Sequence, residues 1–246
     1  MIKFLHYFLV VSNNILFLLY KMNFIYFSGI LSLVIQIITG IIGFYSIKLP
    51  IPSSYYLINE LVVLELIVQI VEAIFYVWMI YQFNVIKNVT PFRYYDWAIT
   101  TPTMLITFMF YLMFLRDKEN GIESKSFITE LKENWKLIVK VSILDWLMLL
   151  CGYLGEKRIF SFLSTTIVGF IPFFLMFYLI YVNFASYSKT GRTVFWYFSI
   201  VWAIYGVAAV LPYRVKNTLY NILDLFAKNF FGVFLSYVLY KASKGI

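Results

Sequence analysis

Apolar residues in this chain run in long blocks, with polar positions gathered mostly at the block ends. A helix needs about 20 apolar residues to cross a bilayer. Blocks of that length lie near 23–47, 57–83, 94–115, 135–155, 159–186, 193–212 and 217–240. They predict an all-α membrane protein, a bundle of seven transmembrane helices whose backbone groups are satisfied within each span. The connections are short: Ser46 to Tyr56 with two prolines, Asn84 to Arg93, and Glu156-Lys157-Arg158. The longest, Arg116 to about Glu133, is highly charged and reads as aqueous. Residues 1–22 stand apart. Ile2 to Tyr20 are apolar but broken by His6 and Ser12-Asn13-Asn14, and they end in Lys21 without a small-residue cleavage site. That pattern predicts an interfacial helix lying on the membrane, followed by a seven-helix domain over 23–246.

Composition narrows the class further. The chain is 62% hydrophobic and 13% charged, with a mean hydropathy of +0.83. A soluble domain carries about a quarter charged residues, so most of this surface must meet lipid. The net charge of +8 does not point to nucleic acid, because the basic residues sit at the ends of apolar runs rather than in a stripe. These residues divide almost evenly between the two sides. The slight excess leans toward an N-terminus outside and a C-terminus in the cytoplasm without deciding the orientation. One cysteine, Cys151, and one histidine, His6, exclude a disulfide framework and a His-rich metal site. Homo-oligomer formation is compatible with the sequence.

Ionisable side chains within a span are costly and mark function by default. Here they are Glu65 and Glu72 in the second span, Asp96 in the third, Asp145 in the fourth, and Asp224 and Lys228 in the seventh. Asp224 and Lys228 are four residues apart and share a helix face. This spacing serves either a structural ion pair or a lysine whose amine forms a Schiff base beside a carboxylate. In the third span Asp96, Thr100 and Thr107 follow one face, and Pro102 removes a backbone bond. Glu65, Gln69 and Glu72 form a polar stripe on the second span. Ser32 and Gln36 form a shorter one on the first, and Asn229 extends the polar face of the seventh. Such stripes are either interhelical hydrogen bonds or a hydrated pathway, and two carboxylates favour the pathway.

With these residues in place, the chain resembles the microbial (type 1) rhodopsins over most of its length after about residue 23. The resemblance rests on Asp224-x-x-x-Lys228 in the last span, together with Arg93-x-x-Asp96-Trp97-x-x-Thr100-Thr101-Pro102 in the third. It implies all-trans retinal on Lys228 as a protonated Schiff base. Asp96 is then primary counterion and proton acceptor, Asp224 the second counterion, and Arg93 the extracellular-side arginine. It further implies a retinal pocket containing Trp97, Thr100, Thr101, Met104, Met148, Gly152, Phe162, Thr165, Thr166, Gly169, Trp202 and Tyr205. Trp97 and Trp202 would sandwich the polyene. Phe162 stands where the family commonly has tryptophan, and Gly206 where it usually has proline.

Thr107 occupies the position where the family's proton pumps usually carry a carboxylate donor, and no acidic pair accompanies Lys216. An efficient outward pump is therefore not expected. The Glu-bearing second span, Ser32, Gln36 and Asn229 resemble the viral branch of the family, in particular its light-gated cation channels. That likeness implies a pathway for monovalent cations or protons along Ser32, Gln36, Glu65, Gln69, Glu72 and Asn229, with Ser32, Glu65 and Asn229 forming a constriction. Two alternatives stand beside the channel: an outward proton pump with slow reprotonation, and a photosensor. None of these is an enzyme.

Overall fold

The computed structural model describes residues 24–246; the expectation for residues 1–22 falls outside them. The described residues form seven helices long and apolar enough to span a membrane. In chain order these are α1 Phe24–Ser46, α2 Tyr56–Tyr81, α3 Thr90–Glu119, α4 Phe127–Glu156, α5 Phe162–Asn183 and α6 Lys189–Ala209, and α7 over Tyr213–Ser243. The seven predicted spans are present, but α3 and α4 run past the apolar blocks and shorten the charged connection. Hydropathy marks where hydrocarbon begins, whereas a helix continues until its end is capped. The side chain of Ser126 accepts from the Thr129 N–H at the start of α4. At the other end of that connection, α3 closes on Asn120 and Gly121 turns the chain with φ +66°.

Polarity is inverted relative to a soluble bundle. The buried face of α1 is Ile25, Gly29, Ser32, Gln36, Thr39, Gly43 and Ser46, a run of small and polar residues at alternating steps of four and three. Its exposed face carries Leu31, Val34, Ile37, Ile38 and Ile41. Without a hydrophobic drive between helices in lipid, small residues permit close approach and polar ones bond across. Gly43 shows the closeness: a Cβ there would lie 2.9 Å from Leu66 Cδ2 on α2.

Two backbone irregularities shape the centre. Pro102 in α3 has no N–H to give the Ala98 carbonyl; Trp146 Nε1 of α4 donates to that carbonyl instead, at 2.9 Å. In α7, residues Leu225–Asn229 form a π-helical turn, and the Phe230 N–H reaches back to the Leu225 carbonyl. Such turns favour functional sites, and this one holds Lys228.

Candidate functional site

Lys228 is fully enclosed at the middle of the bundle. Its Nζ lies 3.1 Å from Glu72 Oε1, 3.2 Å from Asp96 Oδ2 and 3.6 Å from Asp224 Oδ1. Three helices thus each bring one carboxylate to a single amine: α2, α3 and α7. A buried charge is tolerable only when paired and hydrogen-bonded, and the surroundings of Asp224 supply those bonds. Tyr76 donates to its Oδ2 at 2.6 Å and Tyr205 to its Oδ1 at 2.8 Å. Asp96 Oδ1, by contrast, has no donor among the described residues.

Arg93 completes the charge set on one side of the lysine. Its Nη1 lies 3.6 Å from Asp224 Oδ2. Its Nε donates to Asn217 Oδ1 at 3.1 Å, and its Nη2 donates to Asn221 Oδ1. Asn217 is fixed in turn by donation to Thr90 Oγ1 at 2.8 Å, and Asn221 by donation to the Ile25 carbonyl at 3.0 Å. The guanidinium also lies against the rings of Phe75, Tyr76 and Tyr220.

From Lys228 a cavity runs between α3, α4, α5 and α6. Its wall includes Trp97, Thr101, Met104, Met148, Gly152, Thr165, Thr166, Gly169, Trp202 and Tyr205, all singled out from the sequence. Two of the singled-out residues lie off that wall. The Thr100 hydroxyl is turned to the Asp96 backbone carbonyl at 3.0 Å, so it meets neither the cavity nor the Asp96 carboxylate. Phe162 begins α5 and packs its ring beneath the Lys216 ammonium, 4.8 Å away; as the first residue of its helix it stops short of the cavity. Tyr94, Leu149, Phe170, Phe173, Tyr220 and Ala227 also line the wall and were not picked out, because an apolar residue in an apolar span carries no mark of which way it faces. Asp145 meets this region from α4, its Oδ2 2.6 Å from Thr101 Oγ1.

The expected pathway residues are all enclosed. Ser32 donates to the Asn221 carbonyl at 2.8 Å, and Asn229 Nδ2 donates to the Asp224 carbonyl at 3.4 Å. Neither bonds to Glu65, so the expected Ser32–Glu65–Asn229 constriction is not joined by hydrogen bonds here. Among the described residues, the side-chain amides of Gln36 and Gln69 and the carboxyl of Glu65 have no hydrogen-bond partner. Glu72 stands at the Lys228 end of this stripe. Tyr76, one turn further along α2, was missed, although it continues the same face at i+4 from Glu72.

A seven-helix membrane bundle whose central lysine closes an apolar cavity is the frame of a protein that holds an apolar ligand at an amine. The profile of the bacteriorhodopsin-like proteins matches residues 16–242. The chain belongs to that family, the microbial rhodopsins, whose members bind retinal through a Schiff-base lysine. Among solved structures it is similar to the viral rhodopsin OLPVRII, at 26% identity and a TM-score of 0.74, over 88% of this chain and 98% of that one. It shares its fold with a blue light-absorbing proteorhodopsin from Med12, at 21% identity and a TM-score of 0.70, over 90% and 99% of the two chains. It shares it also with xanthorhodopsin, at 15% identity and a TM-score of 0.68, over 90% and 94%. No curated protein matches the chain.

Two features fit the site to retinal. The wall is almost wholly apolar, with the Lys228 amine at one end and seven aromatic side chains along it, Trp97 and Trp202 among them. The wall also leaves the indole Nε1 of Trp202 buried without a partner among the described residues. A Cβ on Gly152 would stand 2.9 Å from Tyr94 Cε1, so only glycine fits beside that part of the wall.

Proposed function

We propose that this protein is a light-gated cation channel carrying all-trans retinal as a protonated Schiff base on Lys228, with its N-terminus outside and its C-terminus in the cytoplasm. The observation that carries the reading is the amine of Lys228 among three carboxylates at the closed end of an apolar cavity. Retinal, when bound, supplies light absorption and a light-driven change of shape at the lysine nitrogen. The protein's own side chains do the rest. Trp97, Met104, Met148, Gly152 and Trp202 hold the ligand and keep water out. Asp224, fixed by two tyrosine hydroxyls and facing Arg93, keeps a negative charge beside the nitrogen. Asp96, with one oxygen free of donors, is the carboxylate placed to accept a proton.

Loss of charge at Asp96 removes one of the pairs joining α3 to α7 and biases the bundle toward another packing. The side chains most ready to take up water are those of Gln36, Glu65 and Gln69, whose polar atoms have no partner now. Hydration along them gives cations a path, and the carboxylates favour cations over anions. A second reading, an outward proton pump with slow reprotonation, draws on buried Arg93: its bonds to Asn217 and Asn221 and its charge facing Asp224 suit one-way release.

Two measurements decide. All-trans retinal added to the purified protein gives a visible absorption band that Lys228→Ala abolishes; no band would remove the retinal reading. Under voltage clamp, a photocurrent that reverses with the cation gradient supports the channel. A current outward at every voltage refutes it in favour of the pump.

A further inference from the structure

The lysine site holds more negative groups than positive ones. Glu72, Asp96 and Asp224 surround Lys228, and among the described residues Arg93 is the only other cation in contact with the set. Other groups facing Glu72 are the hydroxyls of Tyr76 and Tyr205, which are neutral and committed to Asp224. Three ionised carboxylates against two cations would leave one net negative charge among buried side chains, a state proteins avoid by keeping a proton on one of the acids. Asp224 is the poorest candidate for that proton, since two hydroxyls donate to it and Arg93 faces it. Among the described residues, neither oxygen of Glu72 receives a hydrogen bond that meets ordinary geometry, although Oε1 lies 3.1 Å from Lys228 Nζ. Asp96 Oδ2 does receive one from Lys228, at 3.2 Å.

We propose that Glu72 is a reserve counterion: it carries the surplus proton of the lysine site and gives that proton up when Asp96 becomes neutral. This rests on the retinal reading for its part in the light response, but the charge balance holds for Lys228 as a free ammonium as well. Asp96 takes its proton from the Lys228 nitrogen, and once that nitrogen is protonated again two cations face Asp224 alone, so that Glu72 restores balance by ionising. Its proton goes to the Lys228 nitrogen, 3.1 Å from Glu72 Oε1, so the proton given to Asp96 is replaced and no charge is left over. The negative charge thereby moves from α3 to α2, onto the stripe proposed to take up water. Neutralisation of Asp96 would thus charge the pathway itself.

The test is infrared spectroscopy of the purified full-length protein, with and without added retinal, reading the carbonyl stretch of buried protonated carboxyl groups. Glu72→Gln should remove one such band. Asp96→Asn should remove the same band, because Glu72 then ionises. With retinal bound, Asp96→Asn should retain a counterion and shift the visible maximum little. Asp96→Asn combined with Glu72→Gln should shift it to longer wavelength by far more than the two single shifts added. A carbonyl band unchanged in Glu72→Gln, or surviving in Asp96→Asn, overturns the proposal, as does a double variant whose shift is merely additive. Should Glu72→Gln fail to fold, carbon-13 labelling of glutamate in the Glu65→Gln background reports on the same band: a band that shifts on labelling supports Glu72, and one that does not overturns it. Absence of colour in every variant would defeat the retinal reading, while the infrared result on the retinal-free protein still judges Glu72.

Discussion

Tyr205→Phe deletes one atom, the hydroxyl that donates to Asp224 Oδ1 at 2.8 Å. A hydrogen bond to a charged group contributes about 1.5–3 kcal/mol to stability. The ring stays, stacked on Tyr220 at 5.8 Å and edge-on to Trp97 at the same distance, so packing is nearly conserved. The expected loss is therefore about 2 kcal/mol, or roughly 30-fold in the folding equilibrium at 1.4 kcal/mol per tenfold. Partial compensation is available, because Tyr76, Arg93 and Lys228 still face the carboxylate. Reversible unfolding in mixed detergent micelles measures the change, and a double-mutant cycle isolates its source. In the Asp224→Asn background the hydroxyl meets a neutral amide, so Tyr205→Phe should cost only about 1 kcal/mol. A loss below about 0.5 kcal/mol in the parent protein, or an equal loss in both backgrounds, would refute the view that this hydroxyl stabilises a charged Asp224.

Gly152→Ala forces Tyr94 aside, since the new Cβ would stand 2.9 Å from Tyr94 Cε1 and 3.0 Å from Cζ. The expected cost is about 1–3 kcal/mol of overpacking, together with slower uptake of retinal, read as the rate of colour formation. Glu156→Gln leaves Lys216 enclosed without its ion-pair partner, whose side chain is itself only 6% exposed. It should destabilise by about 3–5 kcal/mol, and Lys216→Met in the same chain should recover most of that; thermal unfolding of the single and double variants checks it. Trp146→Phe removes the indole donor that serves the Ala98 carbonyl opposite Pro102. A loss of about 1–3 kcal/mol is expected from the unsatisfied carbonyl, and Pro102→Ala, which restores a backbone donor, should reduce it.

Much of this fold was legible because lipid simplifies the code. A span must be long, apolar and helical, so seven blocks gave seven helices, and the few charges inside them stood out against that background. Lys228, Asp224 and Asp96 were legible on that ground and do meet in space. The helix ends were less so, since α3 and α4 extend into polar sequence where capping, not hydropathy, sets the limit. Glu72 was read as one member of a pathway, yet it is at least as near Lys228 as either aspartate. Its spacing from Gln69 and Glu65 shows that they share a face. Nothing in α2 alone shows at what height that face meets α7.

The π-helical turn at Leu225–Asn229 explains why such a height is hard to read. Four-residue spacing placed Asp224 and Lys228 on one face of an ideal α-helix, and the pair survives with 3.6 Å between the charged atoms. Beyond the lysine, however, the turn shifts every later residue of α7 relative to that ideal, because one more residue is wound into it. Phe231, Gly232, Leu235, Ser236 and Leu239 form the buried face that follows. Gly232 brings the α7 backbone against α1 and α2, where a Cβ would lie 3.4 Å from Thr39 Cγ2 and 3.8 Å from Gln69 Nε2. The same irregular turn that holds Lys228 therefore also sets how α7 lies against the polar stripe of α2. A change of charge at the lysine acts on a helix that is locally irregular where it bears the amine and closely packed against the stripe one turn later. That arrangement suits transmission from Lys228 to Gln69 and Glu65 better than a straight, uniformly bonded helix would.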